Sequence, residues 1–229
     1  MALIEFLHSK ARALVVFLFS EIALGLFFLS TIVSCAVFDW PYYGLIFGII
    51  LMVAAIPFHW NGKKWKMGYV VSFLLNSVGS GLSVSTLYLD KDVSVIPFEL
   101  LVAALPAAGV LLLVYLMLQI FHKTKSVTVT VACFLNAALT VGLLVMWIMH
   151  GYQYYSFAFF SSLISFFYLC VYGITVGHEE RSLLRDISFG GFGSFIILTV
   201  VVVFILSEGE LLEGLDMSSG SGGKKRKKK

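Results

Sequence analysis

Residues 96–120 read IPFELLVAALPAAGVLLLVYLMLQI, a run of 25 residues with one charged side chain, Glu99. As an α-helix rising about 1.5 Å per residue it would be about 37 Å long, enough to cross a hydrocarbon core of about 30 Å. Six more apolar runs lie at roughly 12–38, 42–58, 67–89, 127–150, 155–176 and 188–207. The shortest, 42–58, is flanked by Trp40, Tyr42 and Tyr43 on one side and by His59, Trp60 and Trp65 on the other. Aromatic residues at both ends mark the two membrane–water interfaces, so this run also crosses. The connections DWPY, HWNGKKWK, DKDVSV, FHKTKS, GYQY and HEERSLLRDI are too short to hold a soluble domain. The first run is too long for a cleavable signal peptide and lacks a clear small-residue cleavage site.

Composition agrees. Of 229 residues, 59% are apolar and 13% charged, and mean hydropathy is +0.95. Soluble domains carry about 25% charge and about 45–50% apolar residues. Soluble enzymes, nucleic-acid binders and disordered chains are thereby set aside. The net charge of +3 belongs to the terminal run Lys224 to Lys229; without it ten basic residues stand against thirteen acidic ones. Cys35, Cys133 and Cys170 lie in apolar runs with no CxxC pair, and an odd number gives no complete disulfide framework.

Charge also sets the orientation. Lys10, Arg12, Lys63, Lys64, Lys66, Lys123, Lys125, Arg181 and Arg185 fall at one end of the alternating spans, and Lys91 at the other. Lysine and arginine collect on the cytoplasmic side. The sequence thus predicts an all-α bundle of seven membrane helices in the cell membrane, N-terminus cytoplasmic, C-terminus outside. Residues 1–11 form a cytoplasmic segment, 12–207 the membrane domain and 208–229 a flexible tail, acidic and then basic. The tail's SSGSGG spacer and KKRKKK run read as a solvated segment that begins too far past the last helix to set topology.

Two stretches resemble each other. PFHWNGKKWKMGYVVSFLLNSVGSGL, Pro57 to Leu82, and IFHKTKSVTVTVACFLNAALTVGL, Ile120 to Leu143, share a Phe-His, a lysine loop and an asparagine early in the next helix. VGHEERSLLRDISFGGFGSF keeps His178 only, and VFLFSEIALGL places Glu21 where the others have Asn76 and Asn136. Repeated helical hairpins of this kind occur in transporter folds.

Glu21 is the leading candidate residue. It sits about nine residues, or roughly 13 Å, into the first helix. A carboxylate at a helix centre costs about 2.5–3.5 kcal/mol on insertion scales, so an intramembrane acid is read first as functional. The structural alternative is a protonated glutamate that hydrogen-bonds a neighbour and holds helices together. Asn76 and Asn136 lie about ten residues into the third and fifth helices, which run parallel to the first, so the three groups share one depth. Ser72, Ser80 and Thr140 flank them, and the six residues Glu21, Asn76, Asn136, Ser72, Ser80 and Thr140 form a candidate ligand- or ion-binding layer. For the asparagines, ordinary interhelical bonding worth about 0.6 kcal/mol is the competing account. Gly44 and Gly48, Ser77–Gly81–Ser85, and Gly190, Gly191 and Gly193 read as close-packing positions. The sixth helix, rich in Phe and Tyr, reads as core or lipid contact.

Other chemistry has little support. His59, His122 and His178 gather at one end, but no HxxH spacing points to a metal. Ser83, Ser85 and His150 with Asp90 and Asp92 permit a Ser-His-Asp site without requiring it. The last helix has no lysine, which excludes a retinal Schiff base. No catalytic residue, metal ligand or cofactor is assigned. The partners implied are the lipid bilayer, a small solute or cation, and a membrane protein or second copy of the chain, with no nucleic acid. The function read from the polar layer is a small-solute or ion (proton-linked) transporter or channel. The alternative is a non-catalytic scaffold, receptor or sensor acting through partners. Single cysteines at Asn61 and Thr124 should react with an impermeant reagent only from the cytoplasm, and one at Ser218 only from outside. Labelling of position 218 from the cytoplasm would contradict the predicted orientation.

Overall fold

The computed structural model describes residues 2–40, 42–90, 95–120, 125–151, 153–177 and 182–207. His122, His178, Asp92 and the tail, named above, lie outside the described residues. Seven helices follow in order: α1 Ala2–Val37, α2 Tyr42–Asn61, α3 Met67–Asp90, α4 Pro97–Ile120, α5 Lys125–His150, α6 Gln153–Gly177 and α7 Leu183–Leu206. All seven are long and apolar enough to cross a membrane, so the chain is a polytopic membrane protein. The stretch Thr199–Val203, TVVVV, shows why helices prevail. In water it would suit a strand. In lipid an open strand leaves its backbone N–H and C=O groups unpaired, and a helix satisfies them all.

Two helix starts differ from the apolar runs. α1 extends back to Ala2, through the segment assigned above to the N-terminus, and α7 begins at Leu183 rather than near 188. Apolarity marks where a helix enters hydrocarbon, not where the backbone begins to coil. Arg185 and Asp186 therefore belong to the first turns of α7 and not to a loop.

Helices α1, α3, α7 and α6 form a closed ring of neighbours, with α2 against α3, and with α4 and α5 against α6. α3 and α6 face each other across the ring through large side chains, Phe73 against Tyr168 and the Tyr88 hydroxyl 3.0 Å from Ser156 Oγ. In the apolar stretch of these two helices 67% of the residues are buried, whereas in α2 and α5 the share is 17%. The outer helices show apolar side chains to the lipid, such as Ile50, Leu113, Phe134 and Ile148. Trp40, Tyr42 and Tyr43 are exposed at one end of α2, and Trp60 and Trp65 at the other. Their spacing fits two interfacial belts.

Small residues set the helix approaches. A Cβ on Gly44 would meet Leu82 O, and one on Gly48 would lie 2.9 Å from Gly79 O, so the GxxxG of α2 rests on the backbone of α3. On the opposite side of α3, a Cβ on Gly81 would meet Phe27 O and Ser30 Oγ of α1. Close approach lets hydroxyls bond across the seam, with Thr31 Oγ1 donating to Gly81 O at 3.2 Å and Ser34 Oγ 2.6 Å from Ser85 Oγ. Gly142 on α5 has nothing within 4 Å of a built Cβ. Gly81→Ala should therefore destabilise the bundle by about 1–3 kcal/mol through overpacking. Gly142→Ala should leave stability unchanged or raise it by about 0.5–1 kcal/mol through helix propensity. Thermal unfolding of both variants in detergent micelles measures the contrast, and equal effects would contradict this packing.

Candidate functional site

Glu21 lies on the face of α1 that meets α4 and α6. One turn earlier on that face, Phe17 stacks on Tyr115 of α4, ring centroids 4.8 Å apart. Glu21 itself is half-buried, and its Oε1 is buried with no hydrogen-bond partner in the protein. The Tyr172 hydroxyl of α6 lies within electrostatic reach of both Glu21 and Tyr115. It too has no hydrogen-bond partner in the protein. Glu21, Tyr115 and Tyr172 thus belong to one neighbourhood, the α1–α4–α6 junction.

On α3, Ser72, Asn76 and Ser80 recur every four residues and share one buried face. Asn76 Nδ2 donates to Ser72 O at 2.8 Å, and Ser80 Oγ donates to Asn76 O at 2.9 Å. These bonds engage the amide nitrogen and the backbone carbonyls. Asn76 Oδ1 and Ser72 Oγ are left without a protein partner. Gly191 of α7 approaches the Asn76 side chain, and Tyr168 of α6 packs edge-on to Phe73. The Tyr168 hydroxyl nears Ser77 without reaching hydrogen-bond geometry.

Asn136 and Thr140 are placed differently. Asn136 Nδ2 donates to Ser162 O of α6 at 3.0 Å, and Ser162 Oγ donates to Asn136 Oδ1 at 3.2 Å. Thr140 Oγ1 lies 2.8 Å from both Asn136 O and Ser162 Oγ. The amide oxygen and nitrogen are both satisfied, and the set closes on itself as an α5–α6 clasp. The structure thus groups Ser72, Asn76 and Ser80 on α3. It sets Glu21 at the α1–α4–α6 junction, and turns Asn136 and Thr140 toward a different face of α6.

Tyr168 and Tyr172 are the residues that the sequence reading of α6 passed over. Among so many phenylalanines they look like bulk. The signal lay in their hydroxyls: Ser161, Ser165, Tyr168 and Tyr172 repeat at intervals of four, three and four, a single stripe along α6. A buried tyrosine hydroxyl usually finds a partner, so two phenols one turn apart mark a polar line rather than apolar filling. Ser161 Oγ on the same stripe also lacks a protein partner.

The weaker sequence candidates do not assemble. Ser85 is engaged by Ser34 and by Leu82 O, and Ser83 faces Gly48 and Thr199. His150 is exposed at the end of α5, beside Tyr155. His59 Nδ1 is 2.9 Å from Ser188 Oγ, and its ring lies edge-on to Tyr69 and Phe192. Among the described residues no three His, Cys, Asp or Glu side chains form a group that could hold a metal. Compared with known protein families, curated proteins and solved structures, the chain matches none.

Proposed function

We propose that this seven-helix protein passes a small cation or proton along α6, from the α1–α4–α6 junction to the α3–α6 seam, with Glu21 as the binding group. The observation that carries the reading is a set of five buried oxygens without protein partners: Glu21 Oε1, Tyr172 Oη, Tyr168 Oη, Asn76 Oδ1 and Ser72 Oγ. Burying one such group unpaired costs about 1–3 kcal/mol on mutational scales. Several on facing helices are a standing demand for water or an ion. All five are oxygens, the ligand atoms that hard cations prefer. In this proposal the two phenols, four residues apart on α6, provide intermediate steps between the carboxyl of Glu21 and the amide of Asn76. The layer first read from depth becomes, in this proposal, a line through α6. Asn136 and Thr140 support it by fixing α5 to α6.

The basic end, with Lys10, Arg12, Lys63, Lys64, Lys66 and Arg185, faces the cytoplasm under this proposal, by the positive-inside rule. The closed Asn136–Thr140–Ser162 clasp favours a second reading, a non-catalytic scaffold, receptor or sensor in which intramembrane polar groups only join helices.

Flux into proteoliposomes separates the two. Glu21→Gln keeps the shape and removes the charge, and should lower cation or proton flux about tenfold or more, since charge-assisted bonds are about twice as strong as neutral ones. Asn76→Leu should lower it by a smaller factor. Asn136→Leu should act chiefly through stability, by about 0.6 kcal/mol. A parent protein that moves no cation or proton, or a Glu21→Gln variant that moves as much as the parent, would overturn the transport reading and leave the second.

A further inference from the structure

At the basic end of the bundle, the outer surface between α6 and α7 opens into a groove of about 430 Å³, bordered by His59 of α2. One part of its wall is apolar: Phe167, Ile174 and Phe189. Phe189 is 68% exposed and Ile174 38%, so this wall is continuous with the lipid-facing surface. The other part is polar: His59, Arg185 and Asp186. α7 lies tightly on α6 beneath it, since a Cβ on Gly190 would come within 2.7 Å of Val171 and one on Gly193 within 3.1 Å of the Phe167 ring. The groove is consequently shallow toward the core and open toward the membrane. Its volume is within the range of about 300–1,000 Å³ usual for ligand pockets.

The charges define what fits. Arg185 Nε lies 3.6 Å from Asp186 Oδ1, a single long contact rather than a two-pronged pair. The arginine side chain is 43% exposed and the aspartate side chain 10%. Asp186 Oδ2 is buried and has no hydrogen-bond partner. Asp186 sits in the first turn of α7, where the helix dipole favours a carboxylate, but the dipole gives Oδ2 no donor. His59 lies within electrostatic reach of Arg185, and its Nδ1 is engaged by Ser188. The second ring nitrogen remains for another partner. A ligand for this site therefore needs an acceptor for Arg185 and His59, a cationic N–H donor for Asp186, and an apolar body. A simple anion would bring negative charge beside an already unsatisfied carboxylate. A free ammonium compound would leave the apolar wall unused.

We propose that this groove binds a membrane phospholipid with a primary-amine headgroup. The phosphate lies against Arg185 and His59, the ammonium against Asp186 Oδ2, and one acyl chain along Ile174, Phe167 and Phe189. His59, next to the exposed Trp60, lies 2.9 Å from Ser188 of α7 and lines the groove, which puts the groove near the interfacial belt at this end, at headgroup depth. The site is separate from the α3–α6 seam and stands whether or not an ion crosses there.

The test uses the delipidated full chain in detergent, titrated with short-chain phosphatidylethanolamine, phosphatidylcholine and phosphatidylglycerol and read by native mass spectrometry. The ethanolamine lipid should bind about tenfold more tightly than the other two, the difference one charge-assisted contact makes. Asp186→Asn should erase its advantage over the choline lipid. Arg185→Gln should weaken all three, and Phe189→Ala should weaken all three while keeping their order. If Asp186→Asn fails to fold, stepwise N-methylation of the ethanolamine lipid gives the same reading on the parent protein, with affinity falling as N–H donors are removed. Equal binding of the three lipids, a preference for the glycerol lipid, or indifference to N-methylation would each overturn the proposal.

Discussion

Lipid offers no hydrogen bonds, so every backbone N–H and C=O between the two interfaces must find its partner within the protein. The rest of the structure depends on that constraint. It makes helices of segments such as Thr199–Val203 whose composition would suit strands in water. It also removes the hydrophobic force that joins helices in a soluble protein, because lipid tails are as apolar as leucine. What joins helices here is close backbone approach and interhelical hydrogen bonding. Gly44, Gly48 and Gly81 supply the first. Ser34–Ser85, Thr31–Gly81 and the Asn136–Thr140–Ser162 clasp supply the second.

The same constraint separates two kinds of polar side chain. Many of the described serines and threonines return their hydroxyl proton to a carbonyl one turn back, as Ser77 does to Phe73 O and Thr175 to Val171 O. Such groups are satisfied at little cost and need no further account. Asn136 goes one step further and satisfies its whole amide across α5–α6. Glu21, Ser72, Asn76, Tyr168 and Tyr172 form the other kind, each with a buried oxygen and no protein partner. They border the two most buried helices, where rearrangement toward lipid headgroups is out of reach. Their arrangement around α6 is the physical basis for reading the seam as a route.

The fold was legible because spans of about 20 apolar residues and the hydrogen-bond requirement of lipid leave few choices. The seven spans, the crossing of the short 42–58 run and the small-residue face of α2 all follow from spacing alone. The start of α7 did not, because Arg185 and Asp186 end the apolar run without ending the helix. The candidate site was legible only in part. Depth along a helix can be counted from sequence, and so Glu21, Asn76 and Asn136 could be placed at one level. The direction each side chain takes depends on which helices are neighbours, and sequence spacing carries no such information. Asn136 turns to α6 because α5 packs there, while the Asn76 side chain lies against Gly191 of α7. Tyr168 and Tyr172 were hidden among aromatics for the same reason: a phenol reads as filling until its neighbours are known.

The central claim is that water and small ions reach the buried oxygens of the α3–α6 seam. Substituted-cysteine labelling tests it most directly, in a background with Cys35, Cys133 and Cys170 replaced by alanine. Ser72→Cys and Asn76→Cys should react with a small membrane-impermeant thiol reagent added at the basic end, although both positions are fully buried. Leu111→Cys, equally buried but in the apolar core of α4, should not. Failure of both α3 cysteines to react, with Leu111→Cys equally silent, would show a sealed seam and contradict the account.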